Sequence, residues 1–134
     1  MTKVVIDSSV YISYYGSDIH SPLAKKFFKS NSQLIYVVTP TLVIAETLTI
    51  LAKQNFPHLE TITQTLLRTE VINLDAQFLK SLTSHLSSSR GQSLRASDLI
   101  IALTAKSTNA TLITWDKQLL SQTLCPVSTP EKFK

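Results

Sequence analysis

The chain has 134 residues and a mass of 14.9 kDa, with 43% hydrophobic and 16% charged residues, which is the size and apolar content of one folded domain. Thirteen basic against nine acidic residues give a formal net charge of +4, a balance that suits an anionic partner and also serves solubility alone. Gly16 and Gly91 stand too far apart for a glycine-rich phosphate loop, and the single cysteine, Cys125, excludes an internal disulfide and a cysteine-based metal cluster.

Short apolar runs and helical patterns alternate through the first half of the chain. In order, they predict a strand over residues 3–6, a helix from Ser8 that stops at Gly16, a helix from Ser21, a strand over residues 33–38, and a helix with Thr39 as cap and Pro40 in its first position. The last of these helices is apolar on most of its surface, so we expect it to pack between other elements.

The second half continues the alternation. It predicts an amphipathic segment from Pro57, a strand over residues 71–74, a helix capped by Asp75, a loop over residues 86–93, a helix over residues 94–106, a strand over residues 110–114, a helical turn at Leu119 and a last strand over residues 125–127. Such an order predicts α/β architecture, with one domain over residues 1–134 and a mostly parallel central sheet of four to five strands flanked by helices.

Four of the nine acidic residues lie in apolar surroundings. Asp7 and Asp116 come directly after predicted strands, and Glu46 and Asp98 interrupt apolar helices. An isolated buried carboxylate is costly, so each must be hydrogen-bonded, ion-paired, neutral or metal-bound. Taken singly, each has an ordinary explanation, because the strand-end acids can cap the following helices and the helix acids can lie in early turns favoured by the helix dipole.

Taken together, the four acids predict a metal site. Acids that follow parallel strands meet at one edge of the sheet, and two helix acids can converge on the same point. Two unit charges about 4 Å apart repel by roughly 4 kcal/mol at an effective dielectric near 20, so such a cluster needs cations. Ligation by oxygen without histidine or cysteine suits Mg²⁺ or Mn²⁺, and a carboxylate-held cation can activate water for attack on a phosphodiester.

The residues around these acids resemble a known family. The run Val4-Val5-Ile6-Asp7-Ser8-Ser9, then Pro40 with Glu46, then Gly91, Leu94 and Asp98 followed by Ile101-Ala102, and finally Leu112-Ile113-Thr114 with Asp116, resembles the PIN domain, especially the compact VapC-type toxin ribonucleases. The resemblance spans nearly the whole chain. It implies a PIN-like fold and a metal-dependent ribonuclease.

The resemblance also implies roles for individual residues. Asp7, Glu46, Asp98 and Asp116 would be the catalytic, metal-holding acids, with Mg²⁺ or Mn²⁺ as cofactor. Two hydroxyl residues, Thr114 and Ser8, would support the site, although Ser8 serves equally well as a helix start. Trp115 is a departure from the family pattern, since many relatives carry a small polar residue there.

The resemblance further implies partners. They are an RNA substrate, a small cognate antitoxin protein and a second copy of the chain in a homodimer. Three alternatives stay open: a housekeeping PIN nuclease in RNA processing, a PIN module that binds RNA or protein without catalysis, and, less favoured by the acids present, a receiver-like phosphoacceptor. The apolar runs are far short of the roughly 20 residues of a membrane span, and no signal-peptide pattern is present, so we expect a cytoplasmic protein without membrane association.

Several weaker candidates carry two interpretations. Tyr11, Tyr14 and Tyr15 lie on one helical face, where they would either stack unpaired RNA bases or pack in the core. Arg90 and Arg95 flank the segment before Asp98, where they would either hold substrate phosphates or remain solvated.

The remaining candidates favour structural roles. His20, His58 and His85 share no ligand spacing and fall at polar positions, so we expect surface residues. Cys125 is expected to be a packing residue.

Overall fold

The structure is a computed structural model that describes residues 1–87 and 94–134. In this part of the chain one parallel sheet is formed by β1 (Thr2–Ile6), β2 (Ile35–Pro40), β3 (Glu70–Ile72), β4 (Thr111–Ile113) and β5 (Val127–Ser128). The strand order is β3-β2-β1-β4-β5, so β1 lies in the centre. The predicted α/β architecture with a parallel sheet of four to five strands is confirmed.

Helices flank this sheet. The described residues form α1 (Ser8–Tyr15), α2 (Ser21–Asn31), α3 (Thr41–Lys53), α4 (Leu59–Leu67), α5 (Ala76–Leu86), α6 (Ala96–Ser107) and α7 (Lys117–Ser121), followed by a 3₁₀ helix over Pro130–Lys132. As predicted, α3 packs between other elements, namely α1, α4 and α6. Within the described ranges, none of the helices combines the length and apolar character needed to cross a membrane.

The central strand is buried because helices cover both faces of the sheet. Val4 and Val5 have no exposed surface, and Val4 is paired with Val37 of β2 on one side and with Thr111 of β4 on the other. Helix α6 lies against this sheet and buries Leu99 and Ile101. A continuous apolar run is what a strand needs when neither face meets water.

Two helices begin later in the chain than the sequence predicts. Thr39 and Pro40 belong to β2, where they are in register with Val71 and Ile72 of β3, and the helix begins at Thr41. A proline φ near −62° fits either a first helical position or extended backbone, so the pairing with β3 decides the outcome. Arg95 is likewise extended, and α6 begins one residue later.

Two further boundaries lie near the end of α5 and at the last strand. The predicted loop over residues 86–93 begins where α5 ends at Leu86, while residues 88–93, including Arg90 and Gly91, lie outside the described residues. The last strand is Val127–Ser128 rather than residues 125–127, because these two residues are in register with Leu112 and Ile113.

The topology sets where side chains can meet. In a parallel sheet the carboxyl ends of β1, β2 and β4 share one edge, so the residues that follow β1 and β4 lie there, as does the start of α3. Helix α6 precedes β4 and carries the chain from the carboxyl edge to the opposite edge, where β4 begins. The first turn of α6 therefore lies at the carboxyl edge as well. This arrangement brings together residues that lie up to 109 positions apart in the chain.

Candidate active site

Asp7 is held in place by three hydrogen bonds shorter than 3 Å. It is 5% exposed and caps α1, with Oδ1 accepting from the Ser8 amide at 2.8 Å. Its Oδ2 accepts from Ser9 Oγ at 2.9 Å and from Thr114 Oγ1 at 2.8 Å. These donors take the place of water around a buried carboxylate and fix the direction in which it points.

Thr114 links the two acids that follow strands. Its side chain is fully buried, and its hydroxyl donates to Asp7 and accepts from the Asp116 amide at 2.9 Å. Asp116 caps α7, because its Oδ1 accepts from the amides of Gln118 at 2.8 Å and Leu119 at 3.1 Å. The cap occupies Oδ1 of Asp116, and its Oδ2 lies toward Arg95.

Glu46 enters from the second turn of α3. Ser8 Oγ lies 3.5 Å from Glu46 Oε1 and 3.5 Å from Asp7 Oδ1, so this hydroxyl stands between the two carboxylates. Burial raises the pKa of Glu46 above its usual range, and the negative charges of Asp7 and Asp98 raise it further. The Ser8 hydroxyl and the Arg95 charge act in the opposite direction.

Asp98 is the most buried of the helix acids. It is 6% exposed in the first turn of α6, and burial raises its pKa, with the charge of Asp116 as the next cause. Arg95 partly offsets this, since its Nε lies 3.4 Å from Asp98 Oδ2 and its Nη2 lies 3.8 Å from Asp116 Oδ2. Arg95 therefore lies across two of the acids while its own side chain stays 70% exposed.

All four predicted acids line one cavity of about 220 Å³ at this edge of the sheet. The lining residues are Asp7, Ser8, Ser9, Ile12, Glu46, Ile50, Arg95, Ser97, Asp98 and Asp116. Among them Arg95 alone carries a positive charge against four carboxylates. The raised pKa values of Glu46 and Asp98 are the consequence of this imbalance together with burial.

The donor set fits a hard divalent cation, although the side chains are not gathered around one point. Carboxylate and hydroxyl oxygens face the cavity, and these are the ligands that Mg²⁺ and Mn²⁺ prefer. Within residues 1–87 and 94–134, no three acidic, histidine or cysteine side chains are close enough together to hold a metal as they stand. Arg95 instead supplies positive charge to Asp98 and Asp116.

The sequence was compared with known protein families. The PIN domain family matches residues 4–123, which is most of the chain and includes all four acids. The chain belongs to the PIN domain family. The resemblance stated from the motifs is thereby confirmed. No curated protein matches the sequence.

Solved structures share the fold of this PIN domain across almost its full length. VapC20 of Mycobacterium tuberculosis, described as a sarcin-ricin loop cleaving toxin, is 15% identical over 92% of this chain and 98% of its own, with a TM-score of 0.72. VapBC-1 from nontypeable Haemophilus influenzae is 20% identical over 98% and 100%, with a TM-score of 0.69. FitAcB from Neisseria gonorrhoeae is 17% identical over 97% and 99%, with a TM-score of 0.70.

Three of the tyrosines of this PIN domain, Tyr11, Tyr14 and Tyr15, pack against other aromatic rings. Tyr11 is 5% exposed and stacks on Phe28 at 5.7 Å, and burial raises its pKa. Its ring is therefore withdrawn from solvent, which favours the packing interpretation of this residue over an RNA contact. Tyr14 and Tyr15 are partly buried and meet edge to face at 4.9 Å. Arg95 is accessible to a substrate, whereas Arg90 lies outside the described residues.

The sequence patterns did not predict two features of the PIN domain. No role in the site was predicted for Ser9, yet its hydroxyl donates to Asp7 Oδ2. His20 was expected at the surface, yet it is half-buried and stacks on Trp115 with ring centroids 4.5 Å apart. The sequence features that could have indicated these contacts were the second hydroxyl residue after Asp7 and the aromatic residue next to Asp116. Cys125 is buried, as expected of a packing residue, and burial raises the pKa of its thiol to about 11.

Proposed function

We propose that this PIN domain is a metal-dependent endoribonuclease that hydrolyses RNA phosphodiester bonds. The observation that carries the proposal is the convergence of Asp7, Glu46, Asp98 and Asp116, from four separate elements, on one cavity at the carboxyl edge of the sheet. Burial raises the pKa values of Glu46 and Asp98, and the neighbouring carboxylates raise them further. Four carboxylates at one cavity repel one another, which lowers the stability of the metal-free fold. A bound cation would offset this repulsion, so the arrangement favours a metal-binding function.

The four carboxylates would hold Mg²⁺ or Mn²⁺. When bound, the cation supplies positive charge to the scissile phosphate and lowers the pKa of water. Thr114 and Ser9 keep the Asp7 carboxylate in a fixed direction, and Ser8 spaces Asp7 from Glu46. A carboxylate that is already oriented loses little freedom when it binds, which is why these hydroxyls matter for affinity.

The test is cleavage by purified protein of a fluorescent single-stranded RNA with Mg²⁺, with Mn²⁺ and with chelator. We expect Asp98→Asn to lower the rate by at least about 100-fold while the protein stays folded. The matched control is Asp75→Asn, because Asp75 is an exposed cap of α5, and asparagine caps equally well. Full activity of a folded Asp98→Asn protein, or equal activity in chelator, would contradict the proposal.

We further infer that the chain is the toxin of a toxin-antitoxin pair and acts in the cytoplasm on cellular RNA. Support comes from similar folds in VapC20, described as a toxin, and in a toxin-antitoxin complex from Klebsiella pneumoniae, 19% identical with a TM-score of 0.69. The partner would be a small cognate antitoxin. Induced expression should arrest growth, and co-expression of the neighbouring small protein should restore it. Arrest that no adjacent gene product relieves would count against this role.

We also propose a homodimer. Leu74 and Leu79 are 43% and 48% exposed, and α5 has no buried residue, which leaves apolar surface that a second copy would cover. Light scattering of the purified protein during gel filtration measures the mass directly. A mass of one chain at micromolar concentration would rule the homodimer out.

A further inference from the structure

An aromatic pair lies at the same edge of the sheet as the cavity. The rings of His20 and Trp115 are 4.5 Å apart and 17° from parallel, which is a stacked arrangement. Trp115 lies between Thr114 and Asp116, which are linked to each other by a hydrogen bond and both belong to the candidate site. Trp115 is therefore next to Asp116 in the chain and lies at the same edge of the sheet as the candidate site.

The Trp115 ring is held by contacts from a separate element, and His20 is anchored through its backbone. Trp115 Nε1 donates to Glu131 Oε1 at 3.2 Å and Oε2 at 3.0 Å, and Glu131 belongs to the 3₁₀ helix that follows β5. The His20 amide donates to Asp18 Oδ1 at 2.8 Å. Trp115 also packs against the hydrophobic core. A stacking surface fixed in this way before a ligand arrives loses little freedom on binding.

The pair stays partly exposed although it rests on the core. His20 and Trp115 are both half-buried, and Ile19, the neighbour of His20, is 86% exposed. Lys117 and Lys132, which follow Asp116 and Glu131, are exposed as well. Aromatic surface flanked by positive charge is what an unpaired nucleotide recognises, because its base stacks and its phosphate is attracted.

We propose that the His20–Trp115 pair is the platform on which an unpaired base of the RNA stacks next to the bond to be cleaved. The inference rests on the proposed function and names the substrate as single-stranded at that position. Stacking would add affinity that does not depend on positive charge, at the edge of the sheet where the four carboxylates line the cavity. A base in a duplex offers no free face, so paired RNA is excluded from the platform.

The chain's single tryptophan makes the platform directly observable. Two titrations use the Asp98→Asn protein and a single-stranded RNA of twelve nucleotides. In the first, the RNA carries fluorescein and its anisotropy measures binding. In the second, the RNA is unlabelled and the emission of Trp115 is measured. We expect emission to be quenched in step with binding. Replacing single nucleotides by abasic ones should relieve the quenching at one position, which identifies the stacked base.

His20→Ala in the same background is the decisive variant. His20 makes no side-chain cap to α2, so its loss removes the ring and leaves the helix start intact. We expect RNA affinity to fall about tenfold and His20→Phe to restore it, because any aromatic ring can stack. The matched control is Tyr36→Leu, which removes a ring that is 43% exposed on β2 and should leave affinity unchanged.

The outcomes separate this inference from the proposed function. RNA binding with unchanged Trp115 emission overturns the platform. A His20→Ala protein that melts at a lower temperature but binds RNA as tightly as its parent also overturns it, because the pair then only stabilises the fold. Absence of RNA binding by the parent protein overturns the proposed function and the platform together.

Discussion

At the scale of single residues, two hydroxyl groups and one guanidinium decide how the carboxylates face the cavity. Asp7 Oδ2 accepts from both Ser9 and Thr114, although these residues lie at opposite ends of the chain. Arg95 bridges Asp98 and Asp116. The hydroxyls orient the Asp7 carboxylate and thereby favour the binding of a cation. The guanidinium neutralises part of the negative charge of Asp98 and Asp116 and thereby opposes it.

Thr114→Val tests the orienting role. Valine has nearly the same shape, but it leaves Asp7 with one side-chain donor fewer and the Asp116 amide without its acceptor. We expect a loss of about 1–3 kcal/mol in stability and a fall in cleavage of roughly tenfold. Thr114→Ser keeps the hydroxyl and should retain most of the activity. Thermal melting and cleavage rates measure the two effects, and wild-type rates in Thr114→Val would argue against any positioning role.

Arg95→Ala tests competition between the guanidinium and the metal. Removing Arg95 leaves Asp98 and Asp116 without a counter-ion, so we expect Mn²⁺ to bind about fivefold more tightly, a modest change because the side chain is 70% exposed and screened by solvent. Isothermal titration with Mn²⁺ alone measures it. Lys117→Ala is the control, since it removes an equal charge beside Asp116. An equal gain in both variants would mean that only the general field matters.

At the scale of elements, the site depends on two helices that present an acid on an otherwise apolar surface. Helix α3 brings Glu46 and helix α6 brings Asp98, and both helices are anchored by buried residues such as Val43 and Ile101. The packing of these helices keeps both carboxylates at one cavity, although like charges oppose this. The elements therefore store electrostatic strain that a bound cation would release.

Glu46→Gln should stabilise the metal-free protein at neutral pH. Because the folded-state pKa of Glu46 is raised, the folded protein binds this proton more tightly than the unfolded chain, and stability falls as pH rises through the raised pKa. Glutamine removes that loss, so we expect the melting temperature at pH 7 to rise by about 2 to 4 °C.

The gain from Glu46→Gln should vanish below the ordinary pKa of a carboxyl, where the wild-type side chain is also neutral. Added Mn²⁺ should raise the melting temperature of the wild type more than that of the variant. Glu60→Gln is the control, because Glu60 lies exposed in the first turn of α4 and its charge favours the helix. A lower melting temperature of Glu46→Gln at pH 7 would contradict this account of its burial.

At the scale of the whole molecule, the charge is distributed unevenly. Four of the nine acidic residues and one of the thirteen basic ones, Arg95, line one cavity, so twelve basic residues stand against five acidic ones over the rest of the chain. Once a cation neutralises the cavity, the remaining surface is more basic than the net charge of +4 suggests. A polyanion such as RNA is attracted by that surface.

RNA affinity should therefore depend on salt. For a single-stranded RNA bound to the non-cleaving protein with Mg²⁺, we expect log affinity to fall linearly with log salt at a slope of about −2 to −3, as for three to four phosphate contacts. Anisotropy titrations between low and moderate salt measure the slope. A slope near zero would mean that phosphate contacts contribute little to binding.

The local pattern of the sequence was enough to predict the elements and the four acids. A run such as Val4 to Ile6 forms a strand because helices can cover both faces, and a strand-end residue such as Asp7 must then lie at the carboxyl edge. The pattern could not place Tyr11, since its spacing fits a core and a binding face equally, and packing against Phe28 decides between them. The start of α3 was missed for a similar reason, because pairing with β3 is a distant contact.

The sequence by itself therefore determined the α/β order of strands and helices, the family, and the carboxylates that form the candidate site, because these follow from residues that are neighbours in the chain. Only the tertiary structure decided that Arg95 bridges two acids, that Ser9 and Thr114 share one carboxylate oxygen, and that His20 stacks on Trp115. The physical reason is that strand order and helix packing bring these groups together across the chain, and no local period records which distant side chain will lie within reach.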